Sequence, residues 1–343
     1  MRTLKSPAVP LAARWRETAR PPAARTPGRA WSPLRPVAEP IIFAAVTSVL
    51  YFSFDQSEKF VLLTGVVYAL LTASIGVLLG WSGIYTFGHA AFFGIGAYTA
   101  GLLKDRDLSP LLFLLAGAAV AAAAALLVGL LGARIVAVEF AMMTLIIGQV
   151  GYLLIFKIER LQGDNGIFGI PTGTIGGWDI AADDNLWWYV VGVVAVVLGV
   201  LRRIQLSPYG VSLNAVRDEP VKAAAVGLPV RSLRLSAFVL SGAVAGVAGV
   251  LYAQQQGIVT PSTVSFTFSG QIIIMALFGG LYRFWGAPIG AIAFVLLNNR
   301  IFGETSRGTL ILGVILLVIV VLMPGGILGV ADWIRGRVKA VRR

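Results

Sequence analysis

The stretch NAVRDEPVKAAAVGLPVRSLRLSAFVLSGAVAGVAGVLYA, residues 214–253, changes character halfway along. Up to Arg234 it is polar, charged and broken by prolines. From Leu235 onward it is an apolar run with glycine or alanine every few positions. That run has about the length a helix needs to cross the hydrocarbon of a bilayer. Its small residues recur at helical spacing: Gly242 and Gly246 form GxxxG, and Ser241, Ala245 and Gly249 form a row beside them. No hydrophobic force joins helices in lipid, so close backbone approach at small residues has to supply the contact. The stretch therefore predicts a membrane helix in a tight bundle, with a hydrophilic island just before it.

The rest of the chain reads the same way. Of its 343 residues, 57% are hydrophobic and only 13% are charged. A soluble domain carries about a quarter charged residues and has no room to hide this much apolar surface. Hydropathy marks ten apolar segments, at 37–54, 60–80, 87–103, 108–132, 137–156, 186–201, 235–256, 268–282, 286–299 and 309–323. The third, eighth and ninth are short for full spans, as tilted, broken or re-entrant segments are. Forty glycines and little period-two alternation favour helices over a barrel. The predicted fold is an all-α polytopic bundle. Gly286 and Gly290 repeat the small-residue spacing, as do Ala97 and Gly101.

Charge placement orients the bundle. The net charge of +12 does not mark a nucleic-acid binder, because the excess is concentrated beside membrane segments. Residues 1–36 hold eight basic residues against Glu17, with many prolines and no apolar period, and read as a disordered cytoplasmic extension. A transit peptide is the alternative there. The apolar, membrane-spanning part runs over 37–330, and 331–343 is a second basic tail. The 157–185 loop carries Glu159, Asp164, Asp179, Asp183 and Asp184 against Lys157 and Arg160. The 202–234 loop carries six basic residues against Asp218 and Glu219. Positive charge marks the cytoplasmic side, and ten crossings place both basic termini and the 202–234 loop there.

The polar residues exclude several chemistries. There is no cysteine and one histidine, so thiolate and multi-histidine metal sites are ruled out, and the P-loop pattern is absent. His89 reads as a packed, hydrogen-bonded residue before it reads as a proton carrier. Glu139 is the intramembrane acid to weigh for transport, against an interfacial position from which it snorkels. Gln149 joins these two as a candidate for the substrate path, although glutamines in spans more often bond helices together. The Gly-rich loop LQGDNGIFGIPTGTIGGW (161–178) is either a flexible connector or a surface for an extracytoplasmic partner.

The island itself predicts short helices. Ser207–Pro208 offers an N-cap and a first-turn proline, and Asp218 offers a second cap followed by Glu219 and Pro220. Gly227 supplies a stop before Pro229. Ala223 and Ala224 leave a smooth surface suited to a cleft in another protein. Arg202, at the island's start, is expected in solvent.

From Asn214 to Ala253 the chain resembles the cytoplasmic loop and following helix of the branched-chain amino acid permeases of ATP-binding-cassette importers. GHAAFFGIGAYTAGLL (88–103), EFAMMTLIIGQ with GDNGIFGIP (139–171), MALFGGLYRFWGAPIGA (275–291) and LMPGGILG (322–329) are similar to the M-type permease of that family, in its order. The resemblance implies a permease subunit in a bacterial inner membrane. Its partners would be a second, homologous permease, two ATPase subunits that hold the ATP and Mg, and an extracytoplasmic solute-binding protein. The chain would bind no cofactor and catalyse nothing. The same resemblance implies that Glu219, Ala223, Ala224 and Gly227, with Asp218 beside them, dock on the ATPase. This sequence departs from the family pattern at Glu139 (commonly Tyr), Val211 (commonly Arg) and Tyr282–Arg283. Relatives carry branched-chain amino acids, but also urea, amides and aromatic or short-chain acids. Ion-coupled transport and membrane-embedded catalysis are the rival classes, requiring buried coupling acids or convergent acids and bases near an interface.

Overall fold

Small residues put one helix at the centre of the molecule. The computed structural model describes residues 35–106, 108–132, 137–182, 184–304 and 326–327. Its helices are α1 (Arg35–Ser53), α2 (Gln56–Gly76), α3 (His89–Leu102), α4 (Pro110–Gly132), α5 (Ala137–Lys157), α6 (Asn185–Leu206), α7 (Pro208–Asp218), α8 (Pro220–Ala225), α9 (Val230–Gln256), α10 (Phe266–Gly279) and α11 (Gly286–Glu304). A Cβ placed on Gly246 of α9 would lie 2.5 Å from the Ala121 Cβ and 2.6 Å from the Gly117 carbonyl oxygen of α4. One on Gly242 would lie 2.5 Å from the Ala125 Cβ. On the other side of α9, Gly249 abuts the Phe93 carbonyl of α3, with no room for a side chain. Ser241 Oγ donates to the Ser74 carbonyl oxygen of α2 at 2.6 Å. At the far side of α2, α10 and α11 cross where Gly279 meets the backbones of Gly286 and Gly290.

Among the described residues, five helices are long and apolar enough to cross a membrane: Gln56–Ser82, Pro110–Gly132, Val138–Lys157, Asn185–Leu206 and Val230–Gln256. The predicted segment 309–323 and the tail 331–343 lie outside the described residues, as does the extension up to residue 34. Helix α1 begins at Arg35, two residues inside the stretch read as disordered. Other boundaries shift too. The segment read as 268–282 is a 14-residue helix ending at Gly279, because residues 280–285 turn back into α11. The next, read as ending at 299, runs on to Glu304.

The short third segment has a physical explanation. Helix α2 does not end in a loop at the bundle surface. It loosens into a π-helical turn, Val77–Ser82, which Gly83 closes in the left-handed region (φ 68°). The non-helical residues that follow are partly buried, and α3 starts with the wholly buried His89. Irregular backbone at such depth needs internal partners. Thr144 Oγ1 accepts from the Phe87 N–H at 3.2 Å, and Ser269 Oγ accepts from Ala90 N–H at 3.1 Å. Helix α3 is thus a half-length helix, about 21 Å at 1.5 Å per residue.

Polar contacts sort the bundle into two ends. At the basic end, Glu39 of α1 pairs with Arg202 of α6 at 2.8 Å and accepts from Trp285 Nε1 at 2.8 Å. At the acidic end, Tyr51 donates to Asp184 at 2.8 Å, and Arg300 pairs with Glu58 at 2.7 Å. The Gly-rich loop caps this acidic end and carries short strand pairs. Its β1 (Ile167–Phe168) pairs antiparallel with β4 (Ile258–Val259), just beyond α9. Its β2 (Thr174–Ile175) and β3 (Trp178–Asp179) form a hairpin through Gly176–Gly177, both at positive φ as a two-residue turn requires. These pairs are small additions to an otherwise helical fold.

Candidate functional site

The island before α9 folds at the basic end as the two short helices α7 and α8. Pro208 opens α7 after Ser207, as expected. The second cap is a correction: Asp218 closes α7, and Glu219 is the N-cap of α8, with Pro220 in the first position. Asp218 instead holds the Arg217 Nε at 2.8 Å. The end of α8 follows the expected stop. Gly227 stands at φ 88°, its N–H donates to Ala224 O at 3.0 Å, and the Leu228 N–H donates to Ala223 O at 3.1 Å. That pair of bonds is a Schellman motif, which satisfies carbonyls a helix end leaves orphaned.

Helix α8 shows two faces. Ala223 is buried against the protein, while Ala224 and Ala225 are exposed. Flanking them, Val221 is 80% and Val226 78% exposed. These apolar side chains stand open at a polar end of the bundle, on the same side of α8 as Ala224 and Ala225. Below, Leu213 and Val216 of α7 are buried, and the Tyr209 hydroxyl bonds Ser236 Oγ of α9 at 2.7 Å. The element is thus a stiff platform fixed to the central helix. Val211, where an Arg is common in the resembled family, is 53% exposed.

Arg202 does not stand in solvent. Its guanidinium joins Glu39, Gln205 (2.7 Å) and the face of the Phe284 ring (5.2 Å to the centroid). Long-range partners of this kind leave no trace in local sequence.

The three path candidates are not brought together. His89 is wholly buried, with Nε2 at 2.7 Å from Ser74 Oγ. Ser74 Oγ also lies 2.6 Å from Leu71 O, and His89 Nδ1 has no hydrogen-bond partner among the described residues. Glu139 is exposed in the first turn of α5, where a carboxylate favours the positive end of the helix dipole. Gln149 is exposed one face away from the packed side of α5. Two other glutamines bond helices together: Gln254 accepts from the Tyr189 hydroxyl at 3.0 Å, and Gln255 donates to Thr64 Oγ1 at 2.7 Å.

An apolar crevice of about 320 Å³ lies between α3, α4 and α5. Phe92, Ile95, Tyr98, Thr144, Ile147 and Ile155 are among its lining residues. Along α5 the lining extends from Thr144 to Ile155, roughly 17 Å of helix. Gly151 faces open space, with nothing within 4 Å of where its Cβ would be. The sequence signal for this wall was the spacing of Thr144, Gly148, Gly151 and Ile155, one helix face with few bulky residues. No cluster of metal-ligating side chains occurs among the described residues.

Comparison with known proteins agrees with this arrangement. Residues 59–322 match the family described as the branched-chain amino acid transport system / permease component. The chain is 30% identical over 287 residues to the high-affinity branched-chain amino acid transport system permease protein LivM of Escherichia coli (strain K12), covering 76% of this chain and 68% of that one. It is 29% identical to LivM of Salmonella typhimurium over the same shares. A probable branched-chain amino acid transport permease protein LivH of Methanocaldococcus jannaschii is 32% identical over 155 residues, 41% of this chain and 47% of that one. No solved structure gives a significant match. A bundle seamed by small residues, a platform of short helices at its basic end and a match over most of its length lead to one conclusion: the chain belongs to the branched-chain amino acid transport permease family.

Proposed function

We propose that this chain is one permease subunit of an ATP-driven importer for branched-chain amino acids in a bacterial inner membrane. It works with a second permease, two ATPase subunits that bind ATP and Mg, and an extracytoplasmic solute-binding protein. The chain crosses the membrane ten times with both termini inside, so the basic end faces the cytoplasm. It performs no chemistry of its own. The exposed apolar surface of α8 docks on an ATPase subunit, and closure of the ATPases moves α8 and the bundle with it. The apolar crevice beside α3 and α5 forms this subunit's wall of the route. Its lining suits an aliphatic side chain better than urea or an amide.

The observation that carries the reading is α8 itself, with Val221, Ala224 and Val226 uncovered at the basic end and Gly227 stopping the helix. An ion-coupled transporter needs a buried acid, and no carboxylate is buried among the described residues. The test is Ala224→Arg. A long charged side chain buried unpaired in the contact costs about 2–5 kcal/mol. Membrane abundance should be normal, while ATPase subunits no longer co-purify and ATP-dependent uptake of leucine, isoleucine and valine is lost. Retention of the ATPases with normal uptake would refute the docking role of α8.

A further inference from the structure

Arg217 lies two residues before the cap of α8, yet its side chain turns away from that surface into the bundle, with 14% of it exposed. Its Nη1 donates to the carbonyl oxygen of Gly80, in the π-helical turn that ends α2. Its guanidinium carbon lies 5.5 Å from the centre of the Tyr282 ring, in the turn between α10 and α11. Its Nε is held by Asp218 at 2.8 Å, which fixes the fork relative to the end of α7.

The two elements it grips are built to receive it. Gly83 is at φ 68°, and a Cβ there would sit 2.9 Å from Arg217 Cγ. A Cβ on Gly80 would sit 2.6 Å from the Leu281 carbonyl oxygen, so the π turn and the 280–285 turn already touch. Trp81 stacks on Phe284 across the same contact, centroids 6.2 Å apart. A π turn departs from the i→i−4 ladder and recurs at functional sites, and here the Gly80 carbonyl takes its donor from Arg217, outside the helix. From Gly83 the chain continues as the partly buried loop to Gly88. There Thr144 of α5 accepts the Phe87 N–H, at the inner end of the crevice.

We propose that Arg217 is the positioning residue that transmits movement of α8 to the membrane interior. It pulls on the Gly80 carbonyl and slides on the Tyr282 ring, so that the π turn and the loop beside the crevice shift when the ATPases close. Gly80, Gly83 and Tyr282 are its receiving surface. Tyr282, a departure from the family pattern, is thereby given a role. The proposal rests on the importer reading, but it concerns the step after docking.

The fork and planar face of arginine matter here, because lysine has one point charge and no face to stack. The experiment uses the complete importer in proteoliposomes with leucine as cargo and compares Arg217→Ala, Arg217→Lys and Tyr282→Ala with the unaltered chain. Three quantities are read: ATPase subunits retained on purification, ATP hydrolysis, and leucine uptake. Arg217→Ala should keep the ATPases bound and hydrolysing while leucine moved per ATP falls roughly tenfold, the size of a lost charge-assisted hydrogen bond. Arg217→Lys should assemble normally and lie between the two. Tyr282→Ala should lower the same ratio several-fold. In an Arg217→Ala background it should add little, because the two residues act through one contact. An unchanged ratio in Arg217→Ala overturns the proposal. So does a loss of uptake that only follows loss of ATPase binding or of assembled protein, which is a structural effect. If Arg217→Ala fails to assemble, a normal ratio in both Arg217→Lys and Tyr282→Ala overturns it equally. The docking reading is tested separately by Ala224→Arg, which should lose the ATPase subunits, whereas Arg217→Ala should keep them, so the two failures are distinguishable.

Discussion

Helices α8 and α9 are neighbours in sequence and use the same small residues to opposite ends. In α9, Gly242, Gly246 and Gly249 are covered by α3 and α4, backbone against backbone. In α8, Ala224 and Ala225 are left uncovered, between two exposed valines. The first surface is complete within the chain. The second is built to the same smooth design, held by a Schellman stop at one end and by buried Leu213 and Val216 beneath, but no described residue covers it. Small residues recur in both places, and burial separates the seam closed within the bundle from the surface left open, where the proposed docking would take place.

The largest effect should come from breaking the complete seam. Gly246→Leu forces a side chain into the Gly117 carbonyl and Ala121, neither of which can yield without moving α4. Overpacking of this sort costs about 1–3 kcal/mol or more. The expected outcome is loss of assembled protein, read as detergent-extracted monodisperse yield; normal yield and uptake would show that the seam is open. Gly151→Leu should do the reverse, because its side chain enters open space in the crevice. Yield and ATPase binding should be normal while uptake falls several-fold, and unchanged uptake would remove the crevice from the route.

Smaller effects are expected around α8. Gly227→Ala places a β-carbon at φ 88°, a strain of about 1–2 kcal/mol confined to the end of the helix. ATPase binding should weaken several-fold, with the bundle intact, and Gly227→Asn should weaken it less. An unchanged affinity in Gly227→Ala would mean that the stop does not shape the docking surface. Arg202→Ala should be smaller still in transport but visible in stability. It removes the partner of partly buried Glu39 and the cation over Phe284, about 1–2 kcal/mol in a thermal unfolding scan. An unchanged midpoint would return Arg202 to the solvated position its sequence suggests.

Much of this contrast was legible in the sequence, and the part that was not has a common cause. The α9 rows, the Pro208 and Gly227 signals and the polarity of the two ends follow from spacing and local chemistry, which act over a few residues. The cap of α8 was misplaced by one residue because Asp is the favoured cap of the pair, whereas Glu219 takes the position without a side-chain cap bond. Asp218 is engaged instead by its sequence neighbour Arg217, whose own reach to Gly80 is long-range. Glu39 with Arg202, and Arg217 with Gly80, join residues well over a hundred positions apart, and no local pattern encodes such pairs. The break between α2 and α3 was visible only as a short segment. The backbone at the start of α3 depends on Thr144 and Ser269 reaching in from other helices to accept from Phe87 and Ala90. Glu139 and Gln149 stood out as polar residues in apolar runs, yet both are exposed on α5, and the crevice wall consists of unremarkable Gly and Ile at helical spacing.

The most direct test of the account asks what covers α8. The chain has no cysteine, so Val226→Cys is a unique label at a position 78% exposed. In inside-out vesicles carrying the complete importer, the account predicts slow reaction with an impermeant maleimide. The reaction should become fast once the ATPase subunits are stripped away and slow again when they are restored. Equal, fast labelling in both states would contradict it, because α8 would then be a solvated loop and not the surface on which the ATPase sits.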